Sequence, residues 1–170
     1  IIDYVTIAST GNAADFGDLS VTRGGAASLS NNTRGISAGG RTPGATDVID
    51  YMTIASTGNS IDFGNLISAK FGVSPFPSPT RGCFAGKGPV TTDIDFIEIN
   101  TTGNAVDFGD LLVAKGYAAG FSSNTRGIIT GGMISASPYN SNVMEYVTTA
   151  AKSNTADFGD LTLARGNPGG

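Results

Sequence analysis

The chain has 170 residues, of which 14% are charged, with a net charge of −4, no histidine, no tryptophan and a single cysteine, Cys83. One cysteine excludes an internal disulfide framework, the lack of histidine removes the commonest general base and metal ligand, and a mildly acidic balance without a basic stripe argues against a nucleic-acid footprint. No apolar run reaches the ~18 residues of a membrane-spanning helix, and a start at Ile1 inside a repeat reads as a processed chain or a fragment.

In chain order, "IDYVTI" from Ile2 and "DFGDL" from Asp15 read as two strands. "GGAASLS" (24–30) is built of small residues and predicts an innermost strand where space is tight. "RGISAGG" (34–40) is a short strand ended by two glycines. "VIDYMTIA" (48–55) is apolar on both faces, with Ile49 and Tyr51 on one and Met52 and Ile54 on the other. "STGN" (56–59) supplies Gly58 and Asn59 for a hairpin turn. "DFGNLISA" (62–69) follows as an outer strand carrying Phe63, Leu66 and Ile67. No segment longer than about ten residues shows a helical period, so no helix is expected. The same order then recurs to the end, which gives two strands followed by three four-strand units.

Three anchors define the repeat. An aromatic stands at Tyr4, Tyr51, Phe96 and Tyr146, so the periods are 47, 45 and 50. Asp-Phe-Gly begins at Asp15, Asp62, Asp107 and Asp157, always 11 residues later. The arginine of "TRG" stands at Arg34, Arg81 and Arg126, always 19 residues after the preceding aspartate. Asp-Phe-Gly holds magnesium in protein kinases, but a kinase needs it once and needs a histidine-containing catalytic loop. Four copies and no histidine make it a repeat signature. Phe16, Phe63, Phe108 and Phe158 are expected to anchor contacts between repeats, and their glycines to permit a bend. The aspartates are expected to latch their own turns through backbone N–H groups. The TRG arginines are expected to reach an aspartate of a neighbouring repeat, against the plainer reading of a solvated arginine.

A strand apolar on both faces needs cover on both faces. A stack of small four-strand sheets supplies it, as in a propeller; a β-solenoid, built of shorter coils, is the rival architecture. The pattern resembles kelch repeats, whose period is about 50 residues. The residues that carry the likeness are Gly39-Gly40, Tyr51, Phe63 and Lys70, then Gly131-Gly132, Tyr146, Phe158 and Arg165. Two departures stand out: phenylalanine replaces the usual tryptophan, and the second diglycine reads Gly86-Lys87. The resemblance implies an all-β, kelch-like β-propeller array over residues 1–170, roughly 3.6 four-stranded blades of a larger ring at the kelch period. The Ser/Thr/Asn/Gly-rich form with "TGNAxDFGDL" is similar to kelch-like repeats of tailed-phage virion and tail-fibre proteins.

Most charges recur with the repeat, which leaves Asp47, Asp93, Glu98, Arg41, Lys87 and Lys152 outside it. No set of catalytic groups, metal ligands or cofactor motif stands out, and a non-enzymatic protein without cofactor is expected. Asn31 and Asn100 begin glycosylation sequons that matter only in a eukaryotic secretory setting. All length variation falls after the diglycine strand, in "RTPGATDV" from Arg41, "KGPVTTD" from Lys87 and "MISASPYNSNV" from Met133. Strand parity puts these loops on one rim. Arg41, Thr42, Lys87, Met133, Pro138, Tyr139 and Asn140 are therefore the candidate binding residues. The expected partner is a host-surface glycan or protein, or another virion protein, with a homo-oligomer left open. The expected location is the virion or the extracellular space. A general protein–protein interaction scaffold is the alternative.

Overall fold

A computed structural model describes residues 1–168. They form fourteen β-strands, and no helix occurs among the described residues. A two-stranded sheet joins β1 (Ile2–Tyr4) and β2 (Ala14–Gly17). A four-stranded sheet follows, with β3 (Ala27–Ser30), β4 (Arg34–Ala38), β5 (Thr46–Thr53) and β6 (Ile61–Lys70). The next holds β7 (Ser74–Pro77), β8 (Arg81–Ala85), β9 (Thr91–Glu98) and β10 (Val106–Lys115). The last holds β11 (Ala119–Ser122), β12 (Arg126–Thr130), β13 (Ser141–Thr148) and β14 (Ala156–Arg165). Within each sheet, every strand pairs antiparallel with its neighbour in sequence, as the strand pattern predicts. The expected inner strand over 24–30 begins only at Ala27, because Gly24 belongs to a bridge with Arg41 in the connection.

Asp-Phe-Gly proves to be a β-bulge. Asp50 faces Asp62 and Ile49 faces Gly64, so Phe63 is an extra residue with no partner opposite. Phe108 and Phe158 are displaced in the same way. A bulge frees one residue from the ladder and re-aims its side chain. Phe63 turns its ring edge-on to Tyr51 at 6.0 Å, and Phe108 meets Phe96 at 5.7 Å. The freed carbonyl of Phe63 accepts the N–H of Gly103 from the next repeat, and that of Phe16 accepts Gly58. Gly64 sits at φ +142°, where a Cβ would lie 2.5 Å from the Gly103 carbonyl oxygen. The glycine is thus required twice, by the backbone conformation and by the neighbouring turn.

The core lies between sheets. One cluster joins Leu29, Phe63 and Leu66 of the second sheet to Phe84, Ile97 and Ile99 of the third. Another joins Phe96, Phe108 and Leu111 of the third to Ile129 and Val147 of the fourth. Strand β9 feeds both, which is why it is apolar on both faces. The first strands also pack in succession, β3 against β7 and β7 against β11. Gly127 lies under the Phe76 ring, where any Cβ would collide with it.

Candidate functional site

The loops after β4, β8 and β12 run along the same side as the links between sheets, as strand parity requires. Gly24 bridges to Arg41, and Gly116 to Met133. Arg41 is exposed and holds its guanidinium 4.5 Å from the centroid of the Phe71 ring. Phe71 packs edge-on to Tyr117 at 6.2 Å. Gly88 fits beside both rings because it has no side chain. The result is a cationic–aromatic strip across consecutive repeats, and a guanidinium over a ring is attracted by its quadrupole. Phe71 and Tyr117 were missed in the sequence because they lie in links with no counterpart in other repeats. An aromatic in an otherwise small, polar link was the available signal.

The remaining candidates divide into contact and support. Tyr139 is exposed, at φ +65°, on a turn closed by its own N–H to Ala136 O at 2.7 Å. Pro138 and Met133 are exposed beside it in the same loop. Asn140 is half-buried and packs its amide oxygen against Gly166, so it braces the loop rather than standing in solvent. Lys87 donates to Ser68 Oγ at 3.2 Å and takes the place of the second glycine of the other repeats. Thr42 is exposed in a turn whose N–H donates to Gly44 O. A second concavity, of about 460 Å³, opens on the opposite side. It is lined by Asn31, Pro79, Asn100, Ser123 and Asn124, all uncharged, and Asn31 already donates to Pro79 O and Asn100 Oδ1.

The structure corrects two expectations about the repeated charges. Asp15, Asp62 and Asp107 do not latch their turns: they are exposed, and among the described residues no hydrogen bond engages their carboxylates. Asp157 accepts one, from Gly159 N at 3.2 Å. The latch is the asparagine of the following repeat's turn. Asn59 Oδ1 accepts Asp18 N, Asn104 Oδ1 accepts Asn65 N and Asn154 Oδ1 accepts Asp110 N, each at 3.0 Å. Arg34 and Arg81 reach the neighbouring repeat but find a carbonyl there, not an aspartate. Arg34 donates to Ile99 O and Arg81 to Thr149 O, both at 2.9 Å. Each also lies over an aromatic ring, at 4.5 Å for Arg34 on Tyr51 and 4.9 Å for Arg81 on Phe96. Arg126 covers Tyr146 at 4.8 Å.

The acids that do bury are Asp50, Asp95 and Glu145, one residue before the anchor aromatic. Each crosses to the preceding sheet and meets a base: Arg23 at 2.8 Å, Lys70 at 2.6 Å and Lys115 at 2.7 Å. Each also accepts a backbone N–H there, from Ser20, Ile67 and Leu112 respectively. Burial pushes Arg23 down from its ordinary value, while the Asp50 charge works the other way. Buried pairs of this kind specify arrangement more than they add stability. They fix one sheet against the next and leave the rim loops to vary. Among the described residues, no group of three His, Cys, Asp or Glu side chains is placed to hold a metal ion. The rim itself offers ring faces, a guanidinium, hydroxyls and amides, which is chemistry for stacking and hydrogen bonding. In comparisons with known proteins, neither a family model nor a curated protein matches this chain.

Proposed function

We propose that the chain is part of a kelch-like β-propeller that binds without catalysis, presenting its variable rim to a glycan or protein on a host surface as a component of a virion or fibre. Four-strand meanders whose first strands pack in succession support the propeller reading. The observation that carries the binding role is the strip of Arg41, Phe71 and Tyr117, with the exposed Tyr139 of the β12–β13 loop on the same side, where loop length varies. Rings stack on sugar faces and a guanidinium donates to hydroxyls and carboxylates, so the rim suits a polar, partly acidic ligand such as a cell-surface glycan. The buried ion pairs and bulges hold the scaffold still beneath it, which is how a site is grafted onto a fold.

The test is binding of the 170-residue chain to a glycan array and to candidate host cells. Tyr139→Ala combined with Arg41→Ala should leave the melting temperature unchanged and lower binding about 5- to 30-fold, the loss of ~1–2 kcal/mol of stacking and cation–π contact. Equal binding by this variant, with loss instead in Asn124→Ala on the opposite side, would place the ligand at the uncharged concavity and reject the rim.

A further inference from the structure

We infer that the concavity on the side opposite the rim is a binding site for an uncharged saccharide, separate from the rim and independent of the attachment role. Its walls are the tips of the β3–β4, β7–β8 and β11–β12 hairpins, with Asn100 from the turn after β9. All of these belong to the three four-stranded sheets, between residues 30 and 124, so the site is internal to the array.

The three hairpins share one latch, which leaves their tips free. Asn31 Oδ1 accepts Thr33 N and Arg34 N, both at 2.9 Å. Ser78 Oγ accepts Arg81 N at 3.0 Å, and Ser123 Oγ accepts Arg126 N at 3.1 Å. Each latch residue also donates its own N–H to the carbonyl of that arginine, which closes the turn. Asparagine and serine suit this place because a short side-chain oxygen reaches the backbone two or three residues on. Bonds between sheets then fix the tips relative to one another. Asn31 Nδ2 donates to Pro79 O at 3.2 Å and to Asn100 Oδ1 at 3.1 Å, and Ser122 Oγ donates to Pro77 O. The walls are thereby set before a ligand arrives, which lowers the cost of ordering them on binding.

One residue past the latch, the tips carry Asn32, Pro79 and Asn124, all exposed and all lining the concavity. Among the described residues no hydrogen bond within the protein engages the Asn32 or Asn124 side chain. Each amide therefore keeps two donors and a carbonyl acceptor for a ligand. Pro79 lies between them in the repeat and, with Pro77, adds apolar surface. No charged side chain lines the concavity, and the chain as a whole carries −4. An anion would find no counter-charge there, and an apolar ligand would cover the amides without pairing them. A saccharide suits both kinds of surface, because its hydroxyls donate and accept while its C–H face packs on proline. The space, about 460 Å³, lies within the ~300–1,000 Å³ of small-molecule sites.

Nuclear magnetic resonance titration of the whole chain tests this, with methyl glycosides of glucose, galactose and mannose, with N-acetylglucosamine, and with the matching uronic acids. At least one neutral sugar should shift the amide signals of residues 30–33 and 122–124 and the side-chain NH2 signals of Asn32 and Asn124. It should bind more tightly than its uronic acid. Asn32→Ala combined with Asn124→Ala should weaken that binding about tenfold, the loss of one or two hydrogen bonds. Both tips are exposed, so the rest of the spectrum should stay that of the parent. Arg41→Ala combined with Tyr139→Ala should leave the neutral sugar bound as before, so failure of the rim and failure of this site are read separately. No shift at these hairpins with any neutral sugar would overturn the inference, as would unchanged affinity in the asparagine variant or a uronic acid that binds as tightly. So would shifts produced by a Ser/Asn-rich peptide and by no saccharide.

Discussion

Each repeat presents two acids at fixed spacing, and burial separates them. Asp95 and its partner Lys70 are both buried, with Oδ1 to Nζ at 2.6 Å. Removing the carboxylate strands a charge away from water, which costs about 3–5 kcal/mol. Asp62 stands in solvent, and its loss should lie within about 0.5 kcal/mol. Urea titration of Asp95→Ala and Asp62→Ala should therefore give a large drop and almost none; equal drops would mean that the exposed aspartate carries structure after all. Cys83 gives a second residue-scale outcome. It is buried in the core between the third and fourth sheets, and burial pushes its thiol from 9.0 up to about 12. The unfolded thiol ionises first, so between pH 9 and about 12 unfolding releases a proton and stability falls as pH rises. At pH 8 a thiol reagent should leave the native chain unlabelled and label one site per chain in denaturant. Rapid labelling of the native state would mean that β8 opens.

At the scale of elements, the bulge is what lets one sheet grip the next. Gly64→Ala adds a Cβ 2.5 Å from the Gly103 carbonyl at a positive φ. Backbone strain of this kind costs about 1–3 kcal/mol before the clash is counted. Gly44→Ala, in a loop with nothing within 4 Å, is the matched control and should be near neutral. Thermal melts of the two variants decide it, and equal melting temperatures would remove the glycine's structural role. Much of the element order was legible in the sequence. Tyr51 and Phe63 repeat at constant spacing because they pack ring on ring in one sheet, and Arg34 reaches the Tyr51 ring across the loop whose length varies. "STGN" reads as a turn because glycine and asparagine permit it. The role of Asp62 was not legible, because a two-residue alternation carried across Phe63 assigns the wrong faces once the bulge inserts a residue. The pairing of Lys70 with Asp95 was equally hidden, since it crosses a loop whose length varies. Phe71 and Tyr117 have no repeated counterpart, so periodicity could not single them out.

For the molecule as a whole, sheets in a row behave as a one-dimensional array, with stability set by each unit and by its contacts with neighbours. The β7–β10 sheet is covered on both faces, and Phe76, Cys83, Phe84 and Ile94 there are fully buried. Among the described residues the β11–β14 sheet is covered on one face only, and the β1–β2 sheet is a pair of short strands. Backbone amides exchange with solvent through local openings that are rarer where more surface is buried. Native-state hydrogen exchange on dilute protein should therefore find the slowest amides in β8 and β9. Those of β14 should be faster and those of β1–β2 fastest. Uniform protection would mean that the array unfolds as one unit and that the junctions are stronger than the sheets.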